Sequence, residues 1–183
     1  MFFAVSSSIE HAEEVVEFYR AFSALSMTLL GFWITVVKLR FASGQGTPDQ
    51  RRNAYTVALF FLLPGVMSLA AAAIPDEPAV WRFTFASCAL LGAIEAITYS
   101  IGAGLVRSTA PTLVRSAGVA LYILIFAIAA APKTFQLARL APRQVEALLL
   151  IGLAVCGVHM FWFGLTAPDQ SSAVTATSPK ESG

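Results

Sequence analysis

Long uncharged stretches separated by clusters of charged residues dominate the hydropathy pattern of this chain. Five such windows contain 17, 23, 24, 17 and 22 residues, and Glu95 is the only charged residue within any of them. An α-helix rises about 1.5 Å per residue, so about 20 mainly apolar residues cross the hydrocarbon core of a bilayer. The windows therefore predict five transmembrane helices, at residues 21–39, 55–74, 82–104, 112–131 and 146–166.

The apolar runs favour helices over the strands of a membrane barrel. Barrel strands alternate apolar and polar positions over about ten residues, whereas residues 148–155 read Leu-Leu-Leu-Ile-Gly-Leu-Ala-Val without alternation. A soluble helical protein is the alternative, but its core helices would carry a charged face, which these windows lack. The predicted fold class is all-α: a polytopic integral membrane protein with a bundle of about five transmembrane helices.

Two short segments flank the predicted bundle of residues 21–166. Residues 1–20 contain the capping-box pattern Ser7-x-x-Glu10 and further glutamates, which predict an amphipathic helical extension that starts near Ser8 and leads into the first span. Residues 167–183 are mostly Ala, Ser, Thr and Pro with few charges. Because such a composition buries too little surface to fold, we predict a disordered tail there.

Composition agrees with a membrane protein and excludes several functions. Charged residues make up 13% of the chain and apolar residues 57%, whereas about a quarter of a soluble domain is charged. A net charge of +1 indicates no preference for nucleic acid. Neither a phosphate-binding P-loop nor a nucleophile-elbow motif occurs, and the two cysteines are isolated. We therefore predict no catalytic residue, no cofactor and no metal site, and a non-enzymatic role is favoured over an intramembrane enzyme.

Basic residues are distributed unequally between the two sides of the predicted bundle. One side collects seven Lys and Arg residues and the other collects five. The larger set consists of Lys38, Arg40, Arg51, Arg52, Arg107, Arg115 and Lys180. Since basic loops stay in the cytoplasm, we predict a multi-pass protein whose N-terminus is outside and whose C-terminus is cytoplasmic.

Glu95 is the candidate centre of an intramembrane polar site. An acidic side chain inside the bilayer is costly and is usually turned toward a bundle interior. Tyr99 shares its helix face, because residues four apart lie on one face. His159 lies at a similar depth in the fifth span and is the candidate partner. Two interpretations of Glu95 stay open: an ion or proton site, or a hydrogen-bonded acid that fixes helix packing. His159 could equally bond a neighbouring carbonyl or hydroxyl.

A second stripe of residues lies along one face of the first helix at helical spacing. It comprises Glu13, Glu17, Arg20, Thr28, Gly31 and Thr35. In an oligomer this face could line a pore, with glutamates at one mouth. The alternative is a packing contact within the chain, with the glutamates paired to Arg20.

These observations predict a small channel or transporter subunit for ions or small solutes, with Glu95 as the intramembrane polar centre. The alternative is a non-catalytic subunit or scaffold of a larger membrane complex. The expected partners are the lipid bilayer and either a second copy of the chain or other members of such a complex, but no nucleic acid.

Overall fold

The protein is an all-helical bundle. The computed structural model describes residues 2–42, 47–102, 109–133 and 141–166, and within these ranges it contains five helices and no strand. The helices are α1 (Phe2–Arg40), α2 (Pro48–Ala73), α3 (Pro78–Gly102), α4 (Thr109–Ala130) and α5 (Pro142–Thr166). Each is long and apolar enough to cross a membrane, which confirms the predicted fold class. The predicted disordered tail, residues 167–183, lies outside the described residues.

Several helices begin before the spans predicted from the charge pattern. Thr47 caps α2: its hydroxyl accepts the Gln50 N–H at 3.2 Å, and the Gln50 side chain accepts the Thr47 N–H at 3.0 Å. Pro48 follows at the first helical position, where the missing N–H costs nothing. Charged residues therefore occupy the first turns of α2. At the other end of the fold, α1 already begins at Phe2, ahead of the predicted start near Ser8.

The fifth helix contains an acidic residue near its start. The fifth apolar helix runs from Pro142 to Thr166 and therefore contains Glu146, which the charge pattern marks as its boundary. The Gln144 side chain accepts the Ala141 N–H at 3.0 Å and helps to start α5 there. This capping places the acid within the helix, because the backbone becomes helical before the uncharged window begins.

Side-chain contacts join the ends of the helices into two polar layers. Where α1 enters the bundle, the Tyr19 hydroxyl donates to the carbonyl of Arg143 at 2.7 Å. At the opposite end, the Trp33 indole N–H donates to the carbonyl of Ala54 at 2.7 Å. We call the Tyr19 end the N-side and the Trp33 end the C-side. Successive helices run in opposite directions between the N-side and the C-side.

Helix α2 is the central helix of the bundle. In its most apolar stretch 67% of the residues are buried, against 22–28% in the other four helices. It packs against α1, α3 and α5. Large apolar side chains of the outer helices point outward instead, and Phe83 and Ile101 are 76% and 77% exposed. An apolar outer surface of this kind suits a lipid environment.

Aromatic rings of one helix pack directly against glycines of another. A Cβ atom at Gly92 of α3 would lie 2.5 Å from the ring of Tyr122 in α4, and one at Gly118 would lie 2.5 Å from the ring of Phe60 in α2. The two aromatic rings also touch each other, with centroids 5.6 Å apart. Small residues are typical of membrane helix contacts because they permit close approach. Here they accommodate buried rings in the middle of the bundle.

Candidate functional site: a cavity at the C-side

A cavity of about 240 Å³ lies between the helices at the C-side. All five helices contribute to its wall, with Trp33 from α1, Asn53 from α2, Tyr99 from α3, Arg115 from α4 and Met160 from α5. Because a water molecule occupies about 30 Å³ in the liquid, the cavity has room for several waters or a small ligand. It also reaches the ends of helices, since the last residue of α1 takes part in its lining.

Arg115 lines this cavity and is partly buried. Its guanidinium carbon lies 4.4 Å from the centre of the Tyr99 ring, a separation typical of cation–π contacts. Its Nε atom is buried and has no hydrogen-bond partner among the described residues. The Tyr99 hydroxyl donates to the side-chain oxygen of Asn53 at 2.9 Å. A short polar chain thus crosses from α4 through α3 to α2.

The second arginine of the cavity is Arg40, the last residue of α1. It donates a hydrogen bond to the carbonyl of Gly164, which lies in the last turn of α5. Such carbonyls have no partner within their own helix, so Arg40 joins the ends of α1 and α5. The cavity lining contains these two arginines and, in the part of the chain that the structure describes, no Asp or Glu.

The wider C-side is positively charged as well. Among its described residues it carries five basic residues and one acidic residue, Asp49. The basic residues are Lys38, Arg40, Arg51, Arg52 and Arg115. Neighbouring positive charges raise the local potential, which attracts anions from solution or from lipid headgroups.

The inner wall of the cavity is apolar and well packed. Trp33 is 5% exposed, and Phe161 contacts its ring edge-to-face at a centroid distance of 5.0 Å. Met160 is buried beside them. Ligand sites are usually formed in this way, from apolar walls with a few convergent polar groups.

The structure separates Glu95 from His159, its candidate partner in the predicted intramembrane site. Glu95 is half-buried on α3, one turn before Tyr99, which lines the cavity. His159 is exposed on α5, and its Nδ1 atom lies 2.8 Å from the carbonyl of Val155 in its own helix. In the described ranges no Cα atom of α3 comes within 8 Å of one in α5. Glu95 and Tyr99 are therefore neighbours, whereas His159 is not brought to them.

The predicted stripe on α1 faces away from the bundle. All six of its members are exposed, namely Glu13, Glu17, Arg20, Thr28, Gly31 and Thr35. The Thr28 and Thr35 hydroxyls donate to carbonyls of their own helix, at 2.8 and 2.9 Å. A Cβ atom added at Gly31 would meet nothing within 4 Å. This face is therefore available to lipid or to another protein.

The N-side holds a second cluster, centred on Glu146. This side chain is fully buried, and neither carboxyl oxygen has a hydrogen-bond partner among the described residues. The buried indole N–H of Trp81 is the donor nearest to this carboxyl group, but it does not reach hydrogen-bond geometry with either oxygen. The Arg143 guanidinium acts on Glu146 electrostatically but does not pair with it. It donates to the carbonyl of Pro75 at 2.8 Å, and its carbon lies 5.3 Å from the Trp81 ring centre.

The sequence pattern does not mark Glu146 or Arg40 as site residues, and it offers Arg115 only as a second possible partner of Glu95 that more readily extends outward. Pro142 and Gln144 are helix-start signals that could have placed Glu146 inside α5. No local signal shows that Arg115 turns inward, because a long side chain near a helix end can equally extend toward the headgroups.

The described residues contain no group of three or more His, Cys, Asp or Glu side chains arranged to hold a metal ion. Cys88 is half-buried and Cys156 is buried, and both are free thiols.

Comparison of the chain with protein-family models, with curated proteins and with solved structures finds no match.

Proposed function

We propose that this membrane protein is a channel or transporter subunit for ions or small solutes, and that the solute enters the bundle through the C-side cavity. The observation that carries the proposal is the cavity itself, to which all five helices contribute. Its apolar walls and few convergent polar groups are typical of small-molecule sites. The polar groups of Arg115 and Asn53 also favour a ligand over an empty packing gap.

Glu95 has a place in this proposal as the polar centre next to the cavity. It lies one turn beyond Tyr99, toward the middle of α3. An acid at this depth is costly, and none of its described neighbours pairs with it in a hydrogen bond or ion pair. Transfer of a proton that accompanies the solute would supply a reason for its presence.

Filling the cavity should therefore block solute movement. A Cβ atom at Gly164 would lie 3.6 Å from the Asn53 amide nitrogen and 3.7 Å from the Trp33 ring, which is ordinary contact, so Gly164→Leu places its extra atoms in the cavity. We expect chloride or proton flux into proteoliposomes, read with halide-sensitive and pH-sensitive dyes, to fall to the level of protein-free vesicles. Val158→Leu, which adds bulk at an exposed position of the same helix, should leave the flux unchanged.

Glu95→Gln is the companion variant in the same vesicles, because it keeps the shape of the side chain and removes its charge. We expect a lower flux or an altered pH response. If neither changes, Glu95 is not the polar centre. If wild-type vesicles carry neither ion faster than protein-free vesicles, this form of the proposal is wrong.

One observation favours the alternative of a subunit that packs against other chains: the exposed stripe on α1. Its small residues would let a second helix approach closely. In that case Gly31→Cys should form a crosslinked pair on oxidation in membranes, because paired cysteines need Cβ atoms within about 4.5 Å. Leu25→Cys, exposed on another face of α1, is the matched control. Equal crosslinking of both variants, or of neither, would count against this interface.

A further inference from the structure

We infer that the C-side cavity selects anions, and that its ligand carries a phosphate or carboxylate group joined to a small apolar body. The inference rests on the proposed function in one respect, since it names the substrate class of the same cavity. Its physical basis is separate, because it depends on charge and on hydrogen-bond donors and not on movement through the bundle.

The charge of the lining is the first step. Arg40 and Arg115 both line the cavity, and no carboxylate of the described chain lies in its wall. A guanidinium remains charged under all physiological conditions. Partly burying the Arg115 guanidinium without a carboxylate in the cavity wall is costly, whereas Arg40 is exposed at the rim of the cavity. An anion in the cavity would remove that cost, and a cation would increase it.

The hydrogen-bond donors are the second step. Arg115 has a buried Nε–H without a partner among the described residues. Asn53 uses its side-chain oxygen to accept from Tyr99, so its amide group is left with two N–H donors. Arg40 has more N–H groups than the one that it donates to Gly164. Donors from α1, α2 and α4 therefore surround one space, which suits the several acceptor oxygens of an oxyanion.

The remaining wall gives the shape of the ligand. Trp33, Val36, Met160 and Phe163 also line the cavity and offer no charged group. A free inorganic anion would leave this apolar wall exposed to water. An anion that carries a hydrocarbon chain would cover the wall and remove it from water. Two sources share this chemistry: an anionic lipid with its headgroup at the C-side, and a water-soluble organic acid.

Binding measurements on the full chain in phosphatidylcholine nanodiscs test the inference. The probes are octanoate and octyl phosphate, with octanol as the uncharged compound of the same chain length. After subtraction of the heat measured with protein-free nanodiscs, calorimetric titration should show binding of the two anions and a weaker response to octanol. Arg115→Gln should weaken anion binding at least tenfold, which corresponds to about 1.4 kcal/mol. Arg115→Lys should recover part of the loss because it restores the charge.

Arg51→Gln is the matched control, since Arg51 is an exposed C-side arginine outside the cavity lining. Arg40→Gln is the second test variant if Arg115→Gln does not fold. The inference is overturned if octanol binds as well as octyl phosphate, or if Arg51→Gln weakens binding as much as Arg115→Gln. It is also overturned if neither the two soluble anions nor an anionic lipid, phosphatidylglycerol, binds.

A second arm distinguishes the sources of the anion. If phosphatidylglycerol in the nanodiscs raises the thermal unfolding temperature of wild-type protein but not of Arg115→Gln, while octanoate and octyl phosphate do not bind, the ligand is a lipid headgroup and the inference stands. Anion binding without any flux in proteoliposomes would overturn the proposed function alone. Flux without anion selectivity would overturn this inference alone.

Discussion

Replacing Gly92 by alanine is expected to destabilise the protein by about 1–3 kcal/mol, the usual cost of overpacking a close-packed interior. The new methyl group would lie 2.5 Å from the Tyr122 ring, far inside van der Waals contact. The ring cannot easily move aside, because Tyr122 is 1% exposed and its hydroxyl bonds the Leu59 carbonyl at 3.3 Å. Unfolding in mixed micelles, followed by tryptophan fluorescence, measures the change.

Gly31→Ala is the matched control for this prediction. The same chemical change is made in another membrane helix, but nothing lies within 4 Å of the new Cβ atom. Because alanine is the better helix former, this variant should be unchanged or more stable by about 0.5–1 kcal/mol. Equal destabilisation of the two variants would show that helix propensity, and not ring packing, decides the outcome.

The double variant Gly92→Ala with Tyr122→Leu tests the contact itself. Removing the ring should relieve the overlap, so the double variant should lose less stability than the two single variants together. Additive losses would mean that the methyl group at position 92 and the ring at position 122 do not meet.

The helical membrane fold could be predicted because it depends on length and hydropathy, which are local properties of the chain. The 22 uncharged residues that follow Glu146, for example, are enough to identify α5. Its start at Pro142 was harder to predict, because charges were used as span boundaries. A charged residue marks the end of a membrane span only if its side chain faces lipid. The Glu146 side chain is instead buried in the bundle.

The candidate site could be predicted only in part, for a related reason. Tyr99 was identified from its helix face, and it does line the cavity. Matched depth predicts the pairing of Glu95 with His159, but depth does not determine which way a helix face turns. His159 points outward and bonds its own helix. The orientation of α4 about its own axis brings Arg115 onto Tyr99. This orientation depends on packing between helices, and a single sequence does not reveal that packing.

Replacing Glu146 by methionine is expected to raise the free energy of unfolding by about 1–3 kcal/mol, the usual cost of burying a polar group without a hydrogen bond. The carboxyl group is fully buried, and neither of its oxygens has a partner among the described residues. Methionine has a similar length and no such cost. The same unfolding measurement applies, with Glu77→Met as the control, because Glu77 is an exposed N-side acid and should change stability little.

The opposite sign would be equally informative. If Glu146→Met destabilises the protein, the carboxyl group has a partner after all, and the buried indole N–H of Trp81 is the nearest candidate donor in the same cluster. Trp81→Phe would then cost stability in wild-type protein but little in the Glu146→Met background. Natural proteins retain costly groups where function needs them. A more stable Glu146→Met protein with reduced flux would therefore assign the N-side cluster to solute movement, whereas a more stable protein with unchanged flux would restrict that role to the C-side cavity.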